Sequence, residues 1–190
     1  MRNKKKSVFE YMWIASVLYL VLGFFNILFA WLGMICFAVP LIMSLAGKGK
    51  AYCNNYCGRG QLFNLLGNKH KLSRFKDIPS FLKSKAFRYG FLTFFLTMFS
   101  MMMYITVLVF KQQTSLRKVI TLLWTFKLPW EWVDTSMVSP WVAQFAYGFF
   151  SLMLTSTILG IITMLLYKPR SWCVYCPMGT MTQVISKIKD

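Results

Sequence analysis

The sequence predicts an all-α, polytopic membrane protein, a four-helix transmembrane bundle with both termini cytoplasmic. Three observations predict it. Of the 190 residues, 57% are hydrophobic and 14% charged, where a soluble domain carries about 25% charge. The apolar residues are gathered in long runs rather than spread with the period of a surface helix. The cations, 22 against 5 acids, collect at the ends of those runs, where the positive-inside rule places them. That rule accounts for the net charge of +17. No RNA- or DNA-binding motif accompanies the basic residues, so no nucleic-acid partner is expected.

The elements follow in order. Arg2, Lys4, Lys5 and Lys6 form a cytoplasmic anchor ahead of the first apolar run. That run lacks a small-residue cleavage site and is too long for a signal-peptide core, so it is expected to be retained. It continues almost unbroken from Tyr11 to Ala46. One straight helix over that length would reach about 54 Å, against a hydrocarbon core of about 30 Å. Two spans, 8–26 and 28–46, are therefore expected, with the turn between Asn26 and Gly33. Pro40 is expected to kink the second span, and Cys36 to be a small buried residue within it.

Residues 47–88 hold Lys48, Lys50, Arg59, Lys69, Lys71, Arg74, Lys76, Lys83, Lys85 and Arg88 against one acid, Asp77. A hairpin that enters from the cytoplasm returns there, and this charge agrees. A short helix is expected over Gln61 to Leu66, and Ser80 is the candidate cap of a helix leading into the third span, 89–110. Segment 111–140 is expected outside. Its four cations and two acids leave +2, against +9 for the preceding loop. Trp124, Trp130, Trp132 and Trp141 read there as an aromatic belt, with Val119 to Phe126 on or dipping into the outer surface. The fourth span, 141–167, leads to a basic cytoplasmic tail, 168–190, with Lys168, Arg170, Lys187 and Lys189. The whole is expected to be one transmembrane domain.

Two cysteine pairs carry the chemistry. Cys53 and Cys57 are followed by Gly58 and Gly60. Cys173 and Cys176 are followed by Pro177 and Gly179. Four thiolates in two close pairs suit one iron–sulfur or zinc centre. Glycine lets the backbone approach such a centre and offers N–H groups to sulfur. A Cys-Pro step also closes the bacterial ferredoxin run. With the apolar surroundings, it favours a [4Fe-4S] cluster over [2Fe-2S] or zinc. Arg59, Lys168 and Arg170 would lower thiolate pKa and offset cluster charge. A basic rim would attract an acidic donor such as a ferredoxin or flavodoxin.

The stretches CNNYCGRGQLFNLLG and CVYCPMGTMTQ resemble the CxxxCP-G motifs of membrane-embedded iron–sulfur proteins of the NosR/NapH type, the polyferredoxin-like, quinol-linked electron-transfer proteins. That resemblance implies several helices with both motifs at the cytoplasmic face, and Cys53, Cys57, Cys173 and Cys176 as the ligands. This chain departs from the pattern in three ways. Gly58 stands where the family has proline, the second pair is CxxC, and the family's soluble ferredoxin domains are absent. The departures imply a minimal core working with separate redox subunits.

Other classes find no residues. His70 is the only histidine and reads as solvent-facing, so bis-histidine haem ligation within the chain is excluded. There is no Walker A, Rossmann or HExxH motif. The spans hold almost no ionisable groups, with Glu10 at the entry of the first and Lys111 at the exit of the third, which argues against an ion pathway. One inner cluster cannot carry an electron across about 30 Å of hydrocarbon. A second centre is therefore expected outside: a flavin on an extracytoplasmic flavoprotein partner, or a quinone among the aromatic residues near Trp124 to Trp141. The expected function is an electron-transfer subunit of an oxidoreductase complex in the inner membrane. A DsbB-like thiol–disulfide oxidoreductase and a membrane scaffold with structural zinc are the other two readings.

Overall fold

The computed structural model describes residues 11–48, 52–123, 125–130 and 138–189. The anchor at Arg2 to Lys6, Glu10, Lys50, Trp124 and Trp132 lie outside the described residues, as do the side chains of Lys48, Lys187 and Lys189.

Helix α1 (Met12–Phe25) stops at Asn26, whose backbone is extended. The Asn26 side chain accepts the Leu28 N–H at 3.0 Å, a local bond that competes with helix continuation. A 3₁₀ stretch, Ile27–Leu32, then leads into α2 (Gly33–Met43), which contains Pro40 and runs on as a π turn over Ser44–Lys48. The break expected between Asn26 and Gly33 is therefore found.

Three stretches are long and apolar enough to cross a membrane. They are Ile27–Gly47, Lys85–Phe110 and Pro140–Leu166, with mean hydropathies of 2.3, 2.0 and 2.1. Helix α1 has 14 residues, about 21 Å, and falls short of that length. Among the described residues the four expected spans are thus three, with one shorter apolar helix.

After α3 (Gly58–Asn64) and a π turn over Leu65–Lys69 come α4 (Ser80–Lys83) and α5 (Lys85–Phe110). The cap differs from expectation. Ser80 opens α4 behind Pro79, and Ser84 caps α5 by accepting the Phe87 N–H at 3.2 Å.

The chain is mostly helical, but it is not wholly so. Strands β1 (Val119–Leu122) and β2 (Phe126–Pro129) pair antiparallel, Val119 opposite Pro129. Backbone donors on this arm find side chains on α6 (Pro140–Leu166). Arg117 N–H donates to Gln144 Oε1 at 3.0 Å, Thr121 N–H to Ser151 Oγ at 3.1 Å, and Leu123 N–H to Thr155 Oγ1 at 3.4 Å. Gln144 to Thr155 is about 17 Å along a helix, so the hairpin descends alongside α6. Trp130 is no belt residue. It is 3% exposed and packs with Ile27, Ile120, Tyr147 and Phe150. Trp141, 37% exposed, stays at the surface.

Helix α6 is the axis of the molecule, packed by α5, the hairpin, the 3₁₀ stretch and α3. Its cysteine-bearing end is shared by the last turn of α2 and the start of α5. Ser44 Oγ–H donates to the Thr182 carbonyl at 2.9 Å, Arg74 N–H to the Leu165 carbonyl at 3.2 Å, and Arg88 to Gln183 Oε1. The start of α1 lies there too, because Gly58 abuts the Met12 carbonyl.

Candidate metal centre

The two motifs are built alike. In each, the second cysteine has extended backbone and stands just before a helix. Cys57 (φ −68, ψ 105) precedes α3, and its carbonyl accepts the Gln61 N–H at 3.0 Å. Cys176 (φ −50, ψ 129) ends α7 (Trp172–Tyr175) and precedes α8 (Pro177–Lys189), and its carbonyl accepts the Thr180 N–H at 2.9 Å. Pro177 at the first helical position costs no hydrogen bond, because that N–H would have no helical partner. The other first-turn N–H groups are left for the site, and the Gly60 N–H favours the Cys57 thiolate.

Aromatic packing brings the motifs together. Phe63 from α3, Met164 from α6, and Trp172 and Tyr175 from the second motif form one buried cluster. The Trp172 and Tyr175 rings meet edge to face at 5.0 Å, and Phe91 of α5 packs on both. Gly160 makes room for Phe63, since a Cβ there would stand 2.3 Å from the ring.

The first motif is sunk into the bundle, where the sequence predicted a loop at its face. Gly58 presses on α1, and Tyr52 OH lies 3.5 Å from Cys36 Sγ of α2. Residues 52–69 therefore fold back among α1, α2 and α6. The reason is composition. Leu62 and Phe63 must be buried, and the glycines remove the side chains that would hold α3 away.

The two cysteine motifs lie against each other, and the contact is crossed. A Cβ on Gly60 of the first motif would stand 3.6 Å from Cys173 Sγ of the second. A Cβ on Gly179 of the second would stand 4.0 Å from Cys53 Sγ of the first. Each motif's glycine thus lies against a cysteine of the other. Arg170 reinforces the pairing by donating to the Cys53 carbonyl at 3.2 Å. All four cysteines are half-buried and unpaired by disulfide. Among the described residues no three Cys, His, Asp or Glu side chains converge closely enough for a single ion.

Residues 29–77 and 149–190 match the family model of a 4Fe-4S binding domain. That supports an iron–sulfur protein with a [4Fe-4S] cluster. The matched stretches contain the two cysteine pairs and the helices leading into them. No curated protein and no solved structure matches the chain. The residues present fit the cluster in chemistry: two pairs of free thiols on two arms that touch, with Gly60 and Gly179 at the crossed contacts.

Burial pushes the Cys53 thiol up to about 12 and the Cys173 thiol up to about 11, with repulsion from the neighbouring Cys176 adding to both. Burial raises Cys57 as well, partly opposed by Arg59. Cluster ligands must be deprotonated, so loading expels these protons. In the cluster-free protein the folded chain keeps thiol protons that the unfolded chain has lost above about pH 9. Its stability therefore falls as pH rises from about 9 toward 12. The thermal midpoint of stripped protein is expected to drop by more than about 5 °C between pH 8.5 and 11. Serine at Cys53, Cys57 and Cys173 should flatten that profile, and an equally steep profile in the triple variant would refute the assignment.

The cations grouped by sequence separate in space. Lys168 pairs with Asp77 on the surface, Arg170 serves the Cys53 carbonyl, and Arg59 turns inward. His70 is exposed, as read. Sequence reasoning missed Phe63, Trp172 and Tyr175 as the staple joining the motifs. The aromatic residues placed three apart around Cys173 were the available signal, since that spacing puts both on one helical face.

Proposed function

We propose that the protein is a membrane electron-transfer subunit of the NosR/NapH type, in which Cys53, Cys57, Cys173 and Cys176 hold one [4Fe-4S] cluster near the cytoplasmic side. The crossed approach of Gly60 to Cys173 and of Gly179 to Cys53 is the observation that carries this reading. When bound, the cluster supplies a one-electron store. The chain's own residues do the rest. The aromatic staple fixes the two arms, the Gly60 N–H favours the Cys57 thiolate, and apolar packing limits water.

The charge difference between segments 47–88 and 111–140 favours the cysteine end as cytoplasmic. Helix α1 then counts as a fourth, shorter span, with both termini inside one transmembrane domain of the inner membrane. The exposed cations near this end suit an acidic donor such as a ferredoxin or flavodoxin. The acceptor is a quinone or a flavin on a partner subunit. For a quinone, a candidate place besides the aromatic segment Trp124 to Trp141 lies at the first motif. An apolar cavity of about 330 Å³ adjoins the first motif between α1 and α2, bordered by Tyr19, Cys36, Tyr52 and Arg59. The buried Tyr19 OH has no partner there.

The test is anaerobic purification in detergent, with iron, zinc and acid-labile sulfide counted and EPR recorded after reduction. Iron and sulfide in equal amounts with a reduced-state signal are expected. A colourless chain holding zinc would leave the scaffold reading in its place. Labelling intact cells with an impermeant thiol reagent checks the orientation. The cysteines should be silent, and reaction at Cys53 or Cys173 would turn the molecule over and favour the thiol–disulfide reading.

A further inference from the structure

Arg59 is the cation of the cysteine arms that points into the helix packing. Its guanidinium donates to Ser156 Oγ and, at 3.2 Å, to Met153 Sδ, both on α6. Its remaining exposure opens onto the apolar cavity between α1 and α2. A guanidinium does not shed its charge in a protein. Placed away from water, it needs an anion close by. Asp77, the one acid among the described residues, is on the surface and bound to Lys168. The ionisable groups around Arg59 include Cys36, Cys57, Cys176, Tyr19 and Tyr52. Two of these five are proposed ligands, and none carries a permanent charge.

We propose that Arg59 is the fixed counter-cation of the iron–sulfur site: anchored to Ser156 and Met153 just beyond Cys57, it holds one positive charge against the ligand set. This deepens the function proposed above and rests on its ligand assignment. Four thiolates around a [4Fe-4S] core carry net negative charge, and one electron from the donor adds one more. A fixed cation stabilises the reduced state more than the oxidised one, so it raises the reduction potential. It also favours loading, because the stripped site leaves the cation without its anion. The anchors on α6 matter because a flexible side chain would swing toward water and lose most of the effect.

The test uses Arg59→Gln, Arg59→Lys and Ser156→Ala in the full chain, purified anaerobically in detergent. Two readouts are taken: EPR-monitored potentiometry, and thermal unfolding of loaded and stripped forms. At a fixed ambient potential the oxidised-to-reduced ratio in Arg59→Gln should rise at least about tenfold, a downward shift of about 59 mV for one electron. Arg59→Lys should recover most of it. Arg59→Gln should also destabilise the loaded protein and stabilise the stripped one. A purely structural role would lower both. An unchanged ratio, or parallel loss of stability in both forms, overturns the proposal. If Arg59→Gln holds no cluster, Ser156→Ala decides, because it keeps the charge and releases its anchor. A lowered potential supports the proposal and an unchanged one overturns it. Wild-type protein without iron is a separate failure, of the ligand assignment itself, seen before any variant is made.

Discussion

Replacing Cys57 with alanine is expected to empty the site, lowering iron per chain at least about tenfold. Cys57 is where three constraints meet. Its N–H donates to the Tyr52 carbonyl at 3.0 Å, its carbonyl begins α3, and its thiolate is favoured by the Gly60 N–H. Alanine keeps the backbone bonds and removes only the sulfur, so α3 should still form while the ligand set loses a quarter of its donors. Loss of iron with a retained helical circular dichroism spectrum is the expected pair of results. Cys36→Ala is the matching control. Cys36 sits in α2 against Tyr52 OH rather than on either cysteine arm, and its loss should leave iron unchanged. A chain that keeps its cluster without Cys57, or loses it without Cys36, would force a different ligand set.

The second large effect is expected from a single methyl group. In Gly58→Ala the new Cβ would stand 2.5 Å from the Met12 carbonyl oxygen and 2.5 Å from Ser16 Oγ. The first contact is backbone in a helix and cannot swing aside. Overpacking of this kind costs about 1–3 kcal/mol. For a chain of this size it lowers the thermal midpoint by about 2–10 °C. The strain falls on the arm that carries Cys53 and Cys57, so iron content should fall with stability. Gly90→Ala is the control, since nothing lies within 4 Å of its Cβ position in α5. There alanine should be neutral or stabilising, by up to about 1 kcal/mol. Equal behaviour of the two variants in iron content and melting would show that α3 does not lie on α1.

Gly58 also explains a departure from the resembled motif. At the place where the family has proline this chain has glycine, and α1 leaves no room for any side chain there. Proline would put its ring where the Met12 carbonyl and Ser16 already stand. The second motif keeps Pro177, buried, at the start of α8. One motif is fitted to a helix packed against its turn, and the other to a helix that needs a rigid start.

The order of residues along the chain was enough for the apolar runs, a break between Asn26 and Gly33, the charge difference between the two loops, and four cysteines in two pairs that could share one centre. These are local properties, written in hydropathy, side-chain type and short spacings. Packing between distant segments set how deep the first motif sits, that Arg59 turns toward Ser156 while Lys168 turns toward Asp77, and that a β-hairpin runs beside α6. Each of those outcomes depends on residues far apart in the chain, such as Phe63 against Gly160 or Thr121 against Ser151. Hydropathy marks 47–88 as polar because its many cations outweigh Leu62 and Phe63. Packing reverses that for the arm, because glycine at 58 and at 160 lets apolar groups reach the core while the lysines stay outside.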